Sequence, residues 1–144
     1  MKISTKGRYA LRFMIDLVQN GNESYTSLKD VTRRQSISPK YLEQIATALS
    51  KAGLIHSVRG PQGGYKLAKT PENYTIGEIL RPIEGTFACV ACLETSPNTC
   101  PRYDSCSTVQ FWEGLHEVMT NYLNGTTLAD LSSRKQGEPC PTAP

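Results

Sequence analysis

Residues 38–69 read SPKYLEQIATALSKAGLIHSVRGPQGGYKLAK, and this stretch decides the fold. Its first half predicts a helix that Ser38 caps and Pro39 opens, because a proline at the first helical position loses no intrahelical hydrogen bond. We expect Gly53 to end this helix in the left-handed conformation. Two short β-like runs joined by a glycine-rich loop follow, which predicts a β-hairpin. An apolar stripe at the helical period marks the buried face of the helix: Leu42, Ile45, Ala46 and Leu49.

The opposite face of this helix carries side chains that can contact DNA. Glutamine can bond adenine, and glutamate can accept from the cytosine amino group, both in the major groove. Arg59 lies among small residues at the hairpin tip, where it could enter a narrow minor groove. Taken alone, each feature also fits a solvated helix face or an ordinary turn. The polar face consists of Lys40, Glu43, Gln44, Thr47 and Lys51.

The order of the elements favours the DNA-binding interpretation. The helical period predicts a first helix from about Ser4 to Asn20 and a second that begins at Ser27, with Arg33 and Arg34 pointing outward. A tight turn, Gln35–Ile37, then leads to the Ser38 cap, and such a short link is typical of a helix-turn-helix. With the hairpin after it, the sequence predicts a winged helix-turn-helix: mainly α with a small β-hairpin.

The charge of the chain is divided between its halves. Residues 1–70 hold 12 Lys and Arg against 4 Asp and Glu, a balance of +8, whereas residues 71–144 hold 4 against 9, a balance of −5. This division indicates that the first half meets a polyanion, here double-stranded DNA, and that the second half does not.

The length of 144 residues fits one domain, or one domain with an appendage. No apolar run approaches the roughly 20 residues that a membrane-spanning helix needs. The first residues, MKISTK, do not resemble the hydrophobic part of a signal peptide. We therefore expect a cytoplasmic protein with no membrane partner, and no structural disulfides.

Downstream of the hairpin, the helical pattern stops and then returns. Thr75 begins a short helix that we expect to stop before Pro82, and residues 84–107 form a loop of more than 20 residues, long enough to call for a functional reason. From Ser107 a second long helix is predicted as a dimer seam, the alternative being that it packs on its own domain. Its apolar stripe is Val109, Trp112, Leu115, Met119, Tyr122 and Leu123.

These elements divide the chain into four predicted segments. Residues 1–82 form the DNA-binding domain, and residues 83–107 form a cysteine-rich loop. Residues 108–132 form the dimerisation helix and a short helix from Thr127 to Leu131. Residues 133–144 form a disordered tail.

Four of the five cysteines lie in the loop, with the spacing C-x2-C-x7-C-x5-C, and we define residues 84–107 as the cysteine loop. Thiolates bind soft metals and iron–sulfur clusters, so a cluster, a structural zinc ion and metal-free reactive thiols all remain open at this point. Cys140 is isolated in the tail and is not expected to be a ligand. The loop cysteines are Cys89, Cys92, Cys100 and Cys106.

Four motifs connect the chain to a known family. They are STKGRYA at 4–10, S-x-x-YLEQ at 38–44, L-x-K-x-GL at 49–54 and VRGP-x-GGY at 58–65. These motifs closely resemble the Rrf-type (IscR/NsrR/CymR) family of bacterial regulators. The resemblance runs from Met1 to about Leu131, and the last motif is highly specific to that family.

The resemblance implies a homodimeric winged-helix transcription factor, and many family members hold an iron–sulfur cluster on three cysteines. By position, these ligands resemble Cys92, Cys100 and Cys106. The two-iron or four-iron form stays open. In such proteins the YLEQ helix reads DNA and the wing arginine enters the minor groove. The resemblance carries these roles to Glu43, Gln44 and Arg59. Together with the analysis of the helix and hairpin, the predicted DNA contacts are Ser38, Lys40, Tyr41, Glu43, Gln44, Arg59 and Gly60.

Two features depart from the family pattern. The IscR branch has a histidine ligand three residues after the last cysteine, where this chain has Val109, and the first cysteine gap is two residues longer here. Some members borrow a carboxylate from the partner's first helix, but Arg8 and Arg12 occupy the start of that helix here. Cys89 is therefore the candidate fourth ligand.

The working hypothesis is a DNA reader that the cluster switches. The state of the loop would set the separation of two recognition helices, which must match half-sites about 34 Å apart. A second hypothesis is a cluster-free regulator of the same fold that responds through thiols or a protein partner. A third, from another class, is a thiol oxidoreductase that uses Cys89 and Cys92, although the chain lacks the βαβ pattern that such motifs usually accompany.

Overall fold

The computed structural model describes residues 2–21 and 24–134, and within them the fold is mainly helical with one two-stranded antiparallel sheet. This confirms the fold class predicted from the sequence. Short 3₁₀ turns cover Pro71–Asn73, Ala91–Leu93 and Tyr103–Ser105. The main elements are α1 (Thr5–Asn20), α2 (Leu28–Gln35), α3 (Pro39–Lys51), β1 (Ile55–Val58), β2 (Gly64–Leu67), α4 (Ile76–Glu84), α5 (Val109–Gly125) and α6 (Leu128–Ser133).

Hydroxyl caps begin five of the six helices in the described ranges. Each cap accepts a hydrogen bond from a backbone N–H in the first turn, which satisfies one of the donors that a helix start leaves free. Gly53 follows α3 with a φ of +72°, as the sequence predicted. The caps are Ser4, Ser27, Ser38, Thr75 and Thr127.

The hydrophobic core lies between α1, α3, α4 and α6. The stripe predicted for α3 is entirely buried, and α1 contributes Phe13 and Met14. Leu128 brings α6 into the same core, where its side chain is fully buried and its N–H donates to Tyr74 O at 3.0 Å. The short C-terminal helix therefore belongs to the core of the first half of the chain. It ends at Ser133, two residues later than expected. Of the tail predicted as disordered from residue 133, residues 135–144 lie outside the described ranges.

Tyr74 fixes the base of the hairpin to this core. Its hydroxyl donates to Leu54 O at 2.7 Å and accepts from the N–H groups of Ala68 and Lys69, each at 2.8 Å. Burial raises the pKa of Tyr74, so the phenol stays protonated and can donate. The chain entering β1 and the chain leaving β2 are thus held by one side chain.

The hairpin needs glycine where β2 begins. Val58 pairs with Gly64, and the adjacent Tyr65 forms a bridge to Thr26 on the outer edge of β2. Gly64 has a φ of +153°, and a Cβ atom there would lie 2.2 Å from Thr26 O. A side chain at this position would therefore separate the wing from the segment before α2.

α4 does not stop before Pro82, contrary to the sequence-based expectation. The helix continues through this proline to Glu84, and the Gly85 N–H closes it by donating to Arg81 O at 2.9 Å. Proline removes one backbone donor, but Pro82 lies on the exposed side of the helix, so the carbonyl that loses its partner can face water.

α5 packs on its own chain and also leaves an apolar face uncovered. No residue of α5 is fully buried. Leu123 and Asn124 lie against Gly77 of α4, where a Cβ atom would be 2.3 Å from the Asn124 side-chain oxygen. Four large apolar side chains of α5 remain exposed: Phe111 (65% exposed), Leu115 (37%), Val118 (65%) and Tyr122 (47%). The predicted stripe included Leu115 and Tyr122 but missed Phe111 and Val118.

Candidate nucleic-acid interface and cysteine loop

The predicted reading face of α3 is accessible. Lys40, Glu43 and Gln44 are exposed on the first two turns of the helix. Thr47, one turn further on, donates to Glu43 O at 2.7 Å, so its hydroxyl bonds within the helix. Ser38 is exposed too, but its Oγ accepts from the Tyr41 N–H at 3.4 Å, so its first role is to cap α3.

The wing and α3 form two walls of one cleft. Arg59 and Gly60 are exposed in the turn between β1 and β2, and neither contributes to the core. The cleft has a volume of about 410 Å³, and its walls include Thr47 and Lys51 of α3. Arg59 and Lys51 therefore place positive charge on both sides of the cleft, which suits a polyanion.

An ion pair between a buried carboxylate and an exposed arginine links the helices behind this face. Asp16 of α1 is fully buried and accepts from Arg34 at 2.6 and 3.1 Å and from the Gln35 side-chain amide at 2.8 Å. The hydrogen bond to Asp16 raises the pKa of Arg34. Arg34 is exposed, as the sequence analysis predicted, but its guanidinium reaches Asp16, a partner 18 residues earlier that local periodicity does not report. An acid on the apolar face of α1 was the available indication.

The cysteine loop contains no α-helix or strand between Gly85 and Thr108, as expected. Its four thiols are free and half-buried. Cys89 lies against α5, with its Sγ 3.5 Å from the carbonyl oxygen of Trp112. The loop therefore contacts the helix that carries the exposed apolar face.

Two polar contacts in the cysteine loop were not predicted. The Asn98 amide donates to Cys92 O and its side-chain oxygen accepts from the Cys100 N–H at 2.8 Å, so one side chain joins two candidate ligand positions. The Tyr103 hydroxyl donates to the carboxylate of Glu113 on α5, and this hydrogen bond raises the pKa of Tyr103. An asparagine between two cysteines was a weak indication of the first contact, and no local pattern indicated the second.

Cys106 lies just before α5 and has a lowered pKa. The main cause is the hydroxyl of Thr108, which lies 3.4 Å from the Cys106 sulfur; backbone hydrogen bonding at the start of α5 and the charge of Arg102 also contribute. Lowering the pKa increases the thiolate fraction near neutral pH, and the thiolate is the form that binds metals or reacts with oxidants.

The cysteine loop has the donor atoms that a soft-metal centre requires, but those atoms are not positioned around one point. Four thiols are the ligand type that iron–sulfur clusters use. However, no group of three His, Cys, Asp or Glu side chains in residues 2–21 and 24–134 converges to hold a metal ion. The side chains of Cys92, Cys100 and Cys106 would have to move closer to one another before they could bind one metal centre.

The sequence also matches a family model. Residues 3–134 match the model of Rrf2, described as an iron-dependent transcriptional regulator. The chain belongs to the Rrf2 family. Curated relatives include protein rrf2 of Nitratidesulfovibrio vulgaris, 41% identical over 91% of this chain and 87% of its own. The regulator CymR of Bacillus subtilis is 39% identical over 96% and 94%, and IscR of Klebsiella pneumoniae is 36% identical over 94% and 82%.

Solved structures of the family share the fold. CymR of B. subtilis, described as its global cysteine regulator, has a TM-score of 0.77 at 38% identity and covers 94% of this chain and 99% of its own. IscR of T. potens has a TM-score of 0.73 at 37% identity and covers 95% and 94%. The fold is therefore that of a winged-helix regulator of this family, as the resemblance implied.

Family membership identifies the chain as a DNA-binding transcriptional regulator and not an enzyme, since the named relatives are regulators of transcription. The thiol oxidoreductase hypothesis is therefore dropped. Among the helices of the described ranges, none combines the length and apolarity needed to span a membrane.

Proposed function

We propose that this Rrf2-family regulator binds DNA as a homodimer and that an iron–sulfur cluster on the cysteine loop controls its affinity for the operator. The observation that carries the proposal is the contact between the loop and α5. Cys89 lies 3.5 Å from the Trp112 carbonyl oxygen, and Tyr103 bonds Glu113. A change in the loop would thus act on the helix that we assign to the dimer interface.

The DNA-binding role is assigned to α3 and the wing. Lys40, Glu43 and Gln44 would contact the major groove, with Ser38 and Tyr41 at the entry of the helix, while Arg59 and Gly60 would enter the minor groove. Support comes from their exposure and from the cleft between Lys51 and Arg59. The functional segments follow from this: residues 1–82 would bind DNA, residues 83–107 would sense, and the long helix within residues 108–132 would dimerise, while α6 packs on the core of the DNA-binding half.

Cys92, Cys100 and Cys106 would hold the cluster, and Cys89 is the candidate fourth ligand. A bound cluster would supply a covalent link between separate turns of the loop and a centre that reacts with oxidants. The chain contributes the rest: Asn98 already joins the backbone at Cys92 and Cys100, and the lowered pKa of Cys106 favours its thiolate. Family membership adds the description of an iron-dependent regulator.

The test is anaerobic purification followed by iron and acid-labile sulfide analysis and a visible spectrum. We expect wild-type protein to contain both elements, and Cys92→Ala, Cys100→Ala and Cys106→Ala to lose the visible absorbance. Cys140→Ala, which removes a thiol outside the loop, is the matched control and should keep it. A Cys92→Ala protein with full iron and sulfide would reject this ligand assignment. Retained or lost absorbance in Cys89→Ala would decide the fourth ligand.

A cluster-free regulator that responds through thiols or a protein partner is the second candidate. It is favoured by the lack of a convergent ligand set among the described residues and by the relative described as a global cysteine regulator. Wild-type protein prepared without air and with iron supplied, yet free of iron and sulfide, would favour this candidate. Loss of operator binding after reversible thiol oxidation would then identify the input.

A further inference from the structure

We propose that Arg12 is a positioning residue for DNA recognition, which fixes the turn into α3 and, through the Tyr9 ring, holds the ring of Tyr41. The inference rests on the proposed role of α3 as the recognition helix. It assigns to an exposed arginine in the basic half of the chain a role other than binding phosphate.

Arg12 binds the last residue of α2. Its Nε donates to the Gln35 side-chain oxygen at 3.1 Å, and its Nη2 donates to the Gln35 backbone carbonyl. This carbonyl is one of the acceptors that a helix end leaves without an intrahelical partner. The next residue, Ser36, has a φ of +54°, so α2 ends and the chain reverses immediately after the residue that Arg12 binds.

The same glutamine is tied to the core from its other side. Gln35 donates to the buried Asp16 at 2.8 Å, and Asp16 also accepts two hydrogen bonds from Arg34. We call these four residues, Arg12, Asp16, Arg34 and Gln35, the turn clamp. Because Asp16 is fully buried and Arg12 is on the surface, the clamp connects the core to the outside of the turn.

The guanidinium of Arg12 is also connected to α3 through two aromatic rings, those of Tyr9 and Tyr41. It lies 5.4 Å from the centre of the Tyr9 ring, within the range of a cation–π contact. Tyr9 in turn meets Tyr41 edge to face, with ring centres 5.6 Å apart and planes at 75°. Tyr41 is in the first turn of α3, so Arg12 acts on both the turn before this helix and a side chain at its start.

The competing role for Arg12 is a direct phosphate contact, and substitution by lysine distinguishes that role from a positioning role. Lysine keeps the positive charge that phosphate requires, but it lacks the planar fork that reaches two acceptors of Gln35 and stacks on Tyr9. A positioning role therefore predicts that Arg12→Lys is as harmful as Arg12→Met. A phosphate contact predicts that Arg12→Lys stays close to wild type.

The experiment measures binding to two duplexes: one selected by the wild-type protein from a randomised library, and a scrambled duplex of the same composition. For Arg12→Lys we expect roughly tenfold weaker binding to the selected duplex, the scale of hydrogen bonds to a charged group. Binding to the scrambled duplex should not change, since it depends on charge. A variant that had lost its fold would instead bind both duplexes more weakly.

Arg8→Lys is the matched control, because Arg8 is exposed on the same helix and bonds only Thr5, within its own turn, among the contacts of the described residues. It should bind both duplexes like wild type. A double-mutant cycle of Arg12→Lys with Tyr41→Leu should be non-additive, since both changes act on one structural unit.

The outcomes separate this inference from the assignment of α3. If Tyr41→Leu weakens selected binding and Arg12→Lys does not, the positioning role is overturned and α3 keeps its assignment. If changes at Tyr41, Glu43 and Gln44 all leave selected binding unchanged, the assignment of α3 is wrong and the inference falls with it. Additive losses in the cycle would also overturn the positioning role.

Discussion

Arg59 lies in the turn of the wing, where its side chain is exposed and makes no ion pair within residues 2–21 and 24–134. Gly60 beside it has no side chain, and the guanidinium is the one charged group in the turn from residue 59 to residue 63. A narrow minor groove has an enhanced negative potential that attracts such a group. The structure thus leaves this arginine available for DNA rather than engaged with the protein.

Replacing Arg59 by alanine should weaken operator binding and make its salt dependence shallower. Each phosphate contact that is lost reduces the slope of log K against log salt by about 0.9. The slope can be measured by fluorescence anisotropy over a salt series. Arg134→Ala, which removes a charge at the end of α6, should leave both affinity and slope near wild type. An unchanged slope for Arg59→Ala would remove the wing from the interface.

At this scale, local interactions were predictable and distant ones were not. The caps Ser27 and Ser38 follow from hydroxyl side chains placed before an apolar period, and the structure confirms them. Asp16 and Arg34 are 18 residues apart, and Tyr103 and Glu113 lie on different elements. Their pairing depends on how helices cross, which spacing along one element does not contain.

α4 and α5 show where reasoning from elements was incomplete. A proline was expected to end α4, but Pro82 sits on the exposed side of its last turn, and the helix continues through it to Glu84 despite the missing backbone donor. On α5 the predicted stripe mixed two faces. Trp112 and Leu123 are half-buried, whereas Phe111 and Val118 lie on an exposed face that the stripe did not include. Because apolar residues cover so much of the circumference of α5, the sequence does not show which of them face the rest of the chain.

The exposed face of α5 should be the dimer seam, so Val118→Glu should produce a monomer. Val118 is 65% exposed, so the substitution costs the isolated chain little, but it would bury a carboxylate without a partner in a homodimer. Sedimentation equilibrium would measure the mass. Glu117→Lys changes the charge at the neighbouring exposed position, whose side chain points about 100° away from that of Val118 around the helix, and it should remain dimeric. A dimeric Val118→Glu protein would place the interface elsewhere.

Across the whole molecule, the chain returns to its first half after the cysteine loop. Thr75 and Thr127 form an antiparallel bridge, in which the N–H of Ile76 donates to Thr126 O at 2.9 Å and that of Leu128 donates to Tyr74 O at 3.0 Å. α6 then buries Leu128 in the core that α1, α3 and α4 build. The sequence predicted the elements and their order, but not that the last helix completes the core of the first domain.

Leu128→Ala should therefore destabilise the DNA-binding half as well. Removing a fully buried leucine side chain typically costs about 2–5 kcal/mol, through lost burial and the cavity that remains. Chemical denaturation followed by circular dichroism would report the free energy of unfolding. Leu93→Ala, a half-buried leucine of the cysteine loop, should cost much less. Equal losses would mean that α6 does not contribute to the common core.

The helices on either side of the cysteine loop are attached to one framework. Glu84, the last residue of α4, accepts from the N–H and hydroxyl of Ser4 at 3.1 and 2.7 Å, and on the far side Leu123 packs on Gly77. Lengthening a loop between fixed ends is inexpensive, since doubling it costs only about 0.6 kcal/mol. Residues can thus be inserted or deleted between the cysteines during evolution while the rest of the chain folds as before. The signal that the loop senses can therefore change without any change in the DNA-binding surface.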